Sequence, residues 1–405
     1  MWARVYAFGF LSALYLDQFL WLVYLLHLGY GPVFIGIQYA LMQAGRLVLD
    51  VPSSIFADRF GGRAVLVAGS LAKLLAAVLF LLAGNGPGYV FAGSLVVAIS
   101  LTLPSGVDLA YVRGLSERVE GGQNEAALAR RFADFVAMQH LASLGSGILG
   151  GIIASASFAW LYIAEAIGSL MMLVAALALP RWERAPLAEG AAVLGPIMAL
   201  REFGLPAQRT FWTLGVSAAT FWALSSVGTE YSQALLLDLK LHPFAISLVF
   251  AAAGGAGWLL TLWSGRLRPS ARKRLLRVAV WGYPVAAGLR AAATPGASWA
   301  LSCATGGVVL GRGSSGAASM LLEQTIITEA PPAARATTLS AVNTVQMGLQ
   351  LILFPLLGIL SAEAGVASIF VALAFGLLAA SAVLARVVGG GKSTTASPRE
   401  GTMHR

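Results

Sequence analysis

Charged residues are scarce in this 405-residue chain. Asp, Glu, Lys and Arg make up only 11% of the sequence, whereas hydrophobic residues make up 58%. An ordinary soluble domain carries about 25% charged residues. Because so few charges cannot cover a water-facing surface, we expect lipid to solvate most of the chain.

Cysteine is nearly missing, and so are several motifs of enzymes. The single cysteine, Cys303, rules out an intrachain disulfide framework and a cysteine-based metal site. The sequence has no Gly-rich loop ending in Gly-Lys-Ser/Thr, so we do not expect direct coupling to ATP. No spacing of His, Cys and carboxylates resembles a metal site. We therefore expect no enzymatic activity, no cofactor and no metal.

Long apolar runs dominate what is present. A membrane helix needs about 20 apolar residues, and we predict an all-α membrane protein with about twelve spans in two pseudo-symmetric halves. The predicted spans lie near 5–28, 32–57, 64–83, 88–112, 132–155, 159–179, 210–236, 243–264, 275–293, 297–321, 337–360 and 366–388. The predicted units are an N-terminal half at 1–182, a linker at 183–209, a C-terminal half at 210–388 and a disordered tail at 389–405. A short amphipathic helix is expected near 194–203 in the linker.

The basic residues predict the orientation. The net charge is +9, but Arg and Lys are spread over short loops and form no patch for nucleic acid. With the N-terminus inside, the inner loops hold nearly all of them, and the outer loops hold essentially only Lys240. By the positive-inside rule both termini are cytoplasmic. The abundance of Ala, Gly and Arg suggests a bacterial inner membrane.

A ten-residue stretch joins the second and third predicted spans. It runs from Ser54 to Arg63, reads Ser-Ile-Phe-Ala-Asp-Arg-Phe-Gly-Gly-Arg, and fits a tight turn between antiparallel helices. It resembles the G-x-x-x-D-R-x-G-R-R/K motif of the major facilitator superfamily of secondary transporters. The matching positions are Asp58, Arg59, Gly61 and Arg63, while Ser54 and Gly62 depart from the motif. The preceding Asp50-Val51-Pro52-Ser53 resembles a run found before this motif in bacterial members.

The resemblance implies a fold and a gate. The family builds two parallel six-helix halves with the substrate path between them, and a weak internal repeat around His27 and Lys240 agrees with this. It also implies that Asp108, at the end of the fourth span, meets an Arg of the motif when the inner side closes. The residues assigned to this gate are Asp50, Asp58, Arg59, Gly61, Arg63 and Asp108.

Ionisable residues deep in the spans are the candidates for the transport site, because a charge in the membrane interior costs roughly 2.5–3.5 kcal/mol. The candidates for substrate binding or proton coupling are Asp17, Arg46, Glu230, Arg312, Gln139 and Gln346. Asp17 is either a coupling site for a proton or substrate cation, or a fixed ion-pair partner of Arg46. Lys73 and Arg290 are expected to snorkel or to pair locally.

The fifth span carries many small residues. Leu144 to Gly151 resembles the antiporter signature G-P-x-x-G-G, with Ser146-Gly147 where Gly-Pro is expected. Small residues at such spacing also allow any two helices to pack closely. The Arg found in the fourth span of proton-coupled exporters is missing between Val96 and Val107.

These observations predict a secondary transporter that works by alternating access and exports a small amphiphilic organic compound against protons. The alternatives are proton-coupled uptake of a nutrient or siderophore-like solute, a lipid or lysolipid flippase, and a non-transporting membrane receptor. The expected partners are a small-molecule substrate, protons and membrane lipids. We expect a monomer.

Overall fold

The structure is a computed structural model that describes residues 1–105, 107–120, 125–180, 209–265, 267–329 and 335–390. Within these ranges it is α-helical, with short connections and no strand. The helices before the linker are α1 Trp2–Ser12, α2 Trp21–His27, α3 Pro32–Phe60, α4 Gly62–Leu81, α5 Pro87–Thr102, α6 Val107–Glu120, α7 Glu125–Ala156 and α8 Phe158–Leu177. Those after it are α9 Arg209–Asp238, α10 Pro243–Gly265, α11 Pro269–Ala291, α12 Ala300–Glu329, α13 Arg335–Ala364 and α14 Val366–Gly390.

The predicted spans are confirmed as helices, with two corrections. Eight stretches of the described residues are long and apolar enough to cross a membrane, seven of them within one helix and one, Pro87–Ser116, running across α5 and α6. The first span, predicted as continuous, consists of α1 and α2 with non-helical residues 13–20 between them. The fourth span consists of α5 and α6 and is interrupted at Pro104, where the missing backbone N–H and the ring of proline disrupt a helix.

The connection between α3 and α4 is shorter than predicted. Helix α3 continues through most of the motif to Phe60, and α4 begins at Gly62, so Gly61 alone joins them. Gly61 has a φ of 81°, which favours glycine because it lacks a Cβ. The side chains of Asp58 and Arg59 lie outside the described residues.

The two ends of the bundle differ in the segments they carry. We call the end that holds Met1, Gly61 and Pro180 the N-terminal face, and the end that holds Asn85 and Ser157 the far face. Most of the predicted linker, including the helix expected near 194–203, lies outside the described residues. So does the tail from 391 onward, whereas α14 extends to Gly390.

The two halves meet along two pairs of helices, α3 with α13 and α7 with α10. One hydrophobic core cluster contains residues of both halves, among them Phe19, Tyr39, Phe250 and Phe354. The contact is closest toward the far face. A Cβ placed on Gly358 would lie 2.7 Å from the carbonyl oxygen of Pro32.

The glycines of α7 lie at the same boundary. A Cβ on Gly147 would lie 2.6 Å from the Cβ of Ala251, and one on Gly151 would lie 2.8 Å from the Cβ of Ser247. A Cβ on Gly150 would collide with the carbonyl oxygen of Leu16. The run that resembles the antiporter signature therefore lies where α7 packs against α10 and the first span.

We expect Gly150→Ala to lower the melting temperature of the purified protein. The added methyl group has to displace backbone, and overpacking of this kind costs about 1–3 kcal/mol. Gly145→Ala is the matched control on the same helix, because a Cβ there meets no atom within 4 Å. Thermal unfolding followed by tryptophan fluorescence makes the comparison. Equal melting temperatures for the two variants would contradict the packing described here.

Candidate functional site

A polar cavity of two adjoining lobes lies in the part of the bundle nearer the N-terminal face and reaches the boundary between the halves through its second lobe. Its larger lobe has a volume of about 420 Å³ and is lined by α9, α12 and α13. Among its lining residues are Trp222, Thr229, Glu230, Arg312, Glu323, Asn343 and Gln346. Three of the predicted candidates, Glu230, Arg312 and Gln346, therefore meet in one lobe.

A second lobe of about 350 Å³ adjoins the first and has a more apolar lining. Phe19, Trp258 and Met320 line it together with His140. Arg312, Ser315 and Glu323 belong to both lobes. The combined cavity therefore places both signs of charge beside an aromatic surface.

Glu230 of α9 is held from both halves. Its Oε2 accepts a hydrogen bond of 2.6 Å from the Tyr39 hydroxyl of α3 and one of 3.0 Å from Nε2 of Gln233. The Oε1 of Gln233 accepts the backbone N–H of Leu22 at 3.1 Å. The Arg312 guanidinium interacts electrostatically with Glu230 and lies 5.4 Å from the Phe19 ring centre. The carboxylate thus joins α3 to α9 inside the cavity.

Arg46 and Asp50 line a smaller cavity of about 140 Å³, which also reaches Gln346. Arg46 donates to Oε1 of Gln43 at 3.2 Å and interacts electrostatically with Asp50. Asp50 accepts a hydrogen bond of 3.3 Å from Ser340 of α13. Arg46 and Asp50 therefore lie at the α3–α13 boundary.

Asp17 lies in the non-helical residues 13–20, two positions before Phe19. It forms no ion pair with Arg46 within 4 Å in the part of the chain that the structure describes, so the geometry does not match the alternative of a fixed Asp17–Arg46 pair. Its charged and polar neighbours are Lys73, Glu165 and the Tyr162 hydroxyl. Asp17 also interacts electrostatically with Tyr39, the residue that binds Glu230.

Lys73 and Glu165 were not predicted as site residues. Lys73 does not snorkel, because its side chain is only 3% exposed and its Nζ lies 3.4 Å from Oε1 of Glu165. The signal in the sequence was present, since both residues stand near the middle of apolar runs. Arg290 is also buried, at 1% exposure, and donates to the carbonyl of Gly228 and to Ser232.

Of the residues assigned to the gate whose side chains the structure describes, Asp108 and Arg63 do not form an ion pair within 4 Å. Gln139 donates to Oδ2 of Asp108 at 3.4 Å, so this predicted cavity residue contacts the gate instead. Arg63 donates to the carbonyl oxygens of Ala176 and Leu177. Asp108 is expected to meet an Arg of the motif when this face closes. Its separation from Arg63 here therefore agrees with a cavity that opens on the N-terminal face.

Contacts between the halves close the far face. Besides the Leu22–Gln233 hydrogen bond, the ring of Tyr39 stacks on Phe354 with centres 4.2 Å apart. Ser247 of α10 donates to the carbonyl of Gly147, and Ser155 lies 3.5 Å from Nδ1 of His242. The cavity is therefore shut on one side of the bundle.

Two halves of membrane-crossing helices around one polar cavity define a class of polytopic α-helical membrane proteins. Within that class the chain has the major facilitator fold, as its likeness to solved structures shows. A point mutant of the nucleoside transporter NupG superimposes with a TM-score of 0.77 at 14% identity, covering 95% of this chain and 99% of that one.

Two further structures are similar over nearly their whole length. A POT family transporter in complex with 5-aminolevulinic acid has a TM-score of 0.71 at 15% identity, covering 96% of each chain. A bacterial homologue of the iron transporter ferroportin, in an inward-facing state, has a TM-score of 0.71 at 15% identity, covering 96% of this chain and 98% of that one. No family model and no curated protein sequence matches this chain. At such low identity the likeness establishes the fold and not the solute.

We expect Tyr39 and Glu230 to be energetically coupled, because a hydrogen bond to a charged group contributes about 1.5–3 kcal/mol. Tyr39→Phe should lower the melting temperature of the parent protein but have little further effect in a Glu230→Ala background. A double-mutant cycle by thermal unfolding measures this. Tyr30→Phe is the control, since its hydroxyl bonds the Ala83 carbonyl within the first half. Additive effects of Tyr39→Phe and Glu230→Ala would rule out the coupling.

Proposed function

We propose that this protein is a secondary transporter that works by alternating access. The observation that carries the proposal is the two-lobed cavity between the halves, which is closed at the far face and lies toward the N-terminal face. A solute-sized space that reaches one side of a membrane needs a rearrangement of the halves before it can reach the other. The fold shared with proteins described as transporters supports this mechanism.

The lining of the cavity supports a small amphiphilic organic compound as the solute. Glu230, Arg312 and Glu323 offer charged partners for a polar group. Phe19, Trp258 and Met320 offer an apolar surface on the other side of the same cavity. A molecule with one polar and one apolar end would contact both lobes.

Proton coupling is assigned to Asp17 and Glu230. Both carboxylates lie in membrane-spanning segments, where a charge without a partner is costly. Tyr39 binds Glu230 and interacts with Asp17, so protonation of one carboxylate changes the surroundings of the other. Movement of the halves would separate Tyr39 on α3 from Glu230 on α9, which ties the protonation state to the conformation.

The location is proposed from the charges of the loops, and the direction of transport from the run Leu144 to Gly151, which resembles the antiporter signature. The N-terminal face carries the Arg-rich connections and is assigned to the cytoplasm of a bacterium by the positive-inside rule. The cavity then faces inward, and we propose export of the solute in exchange for protons. Asp58, Arg59, Arg63 and Asp108 would close the N-terminal face in the opposite conformation, together with Asp50 and the hinge at Gly61.

The transport test uses proteoliposomes loaded with the pH-sensitive dye pyranine, to which small amphiphilic amines, acids and neutral compounds are added one at a time. At least one compound should cause proton movement that depends on the protein. We expect Asp17→Asn to abolish accumulation of that compound driven by a pH gradient while keeping its exchange at equal pH. Glu230→Gln should reduce accumulation less.

Gly145→Ala serves as the control variant, because the substituted position lies in open space away from both carboxylates. If Asp17→Asn accumulates the compound as the parent does, Asp17 is not the coupling site and Glu230 takes that role. If no compound in the panel moves protons or exchanges, the proposed proton-coupled transport of an amphiphilic compound is wrong.

A further inference from the structure

The interruption of the first span leaves backbone groups in need of partners. Helix α1 ends at Ser12 and α2 begins at Trp21. In a membrane, backbone groups without a partner are costly, and non-helical backbone is tolerated where protein supplies the missing hydrogen bonds. Lys73 of α4 supplies two of them. Its Nζ donates to the carbonyl oxygens of Leu14 at 2.5 Å and Leu11 at 3.4 Å.

Glu165 of α8 supplies the complementary group. Its Oε2 accepts the backbone N–H of Leu16 at 2.6 Å. In an uninterrupted helix this N–H would bond the carbonyl oxygen four residues earlier, that of Ser12. The carboxylate therefore occupies the place of the helical acceptor.

The charges of the pair are oriented with respect to the backbone. The ammonium of Lys73 lies at carbonyl oxygens and also 3.6 Å from the centre of the Tyr15 ring, while the carboxylate of Glu165 lies at an amide. Both side chains are at most 5% exposed. Such a buried pair gains little net stability from its own attraction, because removing both charges from water is expensive. The hydrogen bonds of Lys73 and Glu165 to the backbone distinguish this pair from an ion pair whose two charges could be swapped without effect.

The second half offers an internal comparison. Arg290 of α11 donates to the carbonyl of Gly228 at 3.0 Å, so a cation from the third span again binds backbone of the first span of its half. Helix α9 is nevertheless continuous from Arg209 to Asp238. The Arg290 guanidinium lies 5.0 Å from the ring centre of Phe370 on α14. At the corresponding place in the first half, Lys73 instead faces the Glu165 carboxylate of α8. A buried cation that binds backbone is therefore not enough to interrupt the helix. The first half differs from the second in that the Glu165 carboxylate also accepts the backbone N–H of Leu16.

The backbone path of residues 13–20 determines which of their side chains reach the cavity. Phe19 lines the aromatic lobe and stacks on Phe250 of α10 with ring centres 5.5 Å apart. The Gln18 side chain accepts a hydrogen bond of 3.2 Å from Ser143 of α7. If this segment formed a continuous helix, the side chains of Phe19 and Gln18 would point in other directions and lose these contacts.

We propose that Lys73 and Glu165 are positioning residues of the cavity: they hold residues 13–20 unwound and thereby set the places of Asp17, Gln18 and Phe19. The inference that these places matter for a solute rests on the proposed function. The interrupted geometry itself does not, so it is tested without any solute.

The test measures how fast a maleimide modifies a cysteine at Gln18 in purified protein. The background is Cys303→Ser, and the control reporter is Ser226→Cys, which lines the larger lobe from the other half. Two paired variants are compared with the parent. Lys73→Met/Glu165→Met removes both charges, and Lys73→Glu/Glu165→Lys keeps an ion pair but reverses it against the backbone.

We expect both paired variants to change the rate at Gln18→Cys by about tenfold, the factor that a change of about 1.4 kcal/mol in a local equilibrium gives. The rate at Ser226→Cys should stay within about twofold, well under that factor. Lys73→Arg should keep the parent rate, because it retains a buried cation with donors for the carbonyls. Glu165→Gln should also stay near the parent rate, because its amide oxygen still accepts from Leu16.

If the reversed variant modifies Gln18→Cys at the parent rate, the proposal is overturned. An ion pair that does not position the backbone would tolerate a swap of its two charges. Equal changes at Gln18→Cys and Ser226→Cys would also overturn it, since they indicate general loosening. A reversed variant that fails to fold while the neutral variant folds supports the orientation. If neither paired variant folds, Glu165→Gln and Lys73→Arg decide: a parent-like rate in both supports the proposal, and a shifted rate in either overturns it.

Discussion

A backbone group inside a membrane has to find its hydrogen-bond partner within the protein, and the most unusual part of this structure satisfies that constraint with side chains. Residues 13–20 leave the helical path, and Lys73 and Glu165 provide a donor and an acceptor for them. The non-helical stretch carries Phe19, whose ring lines the cavity, and Asp17, which lies two positions before it near Lys73 and Glu165. Polar chemistry at the centre of the bundle thus depends on two charges that are themselves buried.

A second constraint is close approach of the two halves. Gly36 and Gly358 each lie against a backbone carbonyl of the other half, that of Phe354 and that of Pro32, where a side chain would collide. The same part of the bundle contains the Leu22–Gln233 and Tyr39–Glu230 hydrogen bonds. Closure of the far face and organisation of the cavity therefore involve neighbouring residues, and Glu230 itself contacts the other half through Tyr39.

Much of the fold could be predicted from the sequence, because lipid solvation requires long apolar runs and the Asp58–Arg63 stretch marks one turn. Glu230, Arg312 and Gln346 were also predicted as site candidates from their positions within spans, but their meeting in one lobe was not predicted. The interruption at residues 13–20 could not be predicted, since Leu14, Leu16 and Phe19 continue an apolar pattern. Its partners are remote in the sequence, with Lys73 and Glu165 on two other helices. Local patterns do not report such a contact.

The central claim is that the two halves alternate between closing the far face and closing the N-terminal face. Distances between paired spin labels in lipid nanodiscs test it most directly, in a Cys303→Ser background. Asn85 with Asp238 reports on the far face, and Arg130 with Ser270 on the N-terminal face; all four positions are exposed. Lowering the pH, or adding a solute that moves protons, should lengthen the first distance and shorten the second in part of the population. Two distances that stay fixed, or that change in the same direction, would contradict the account.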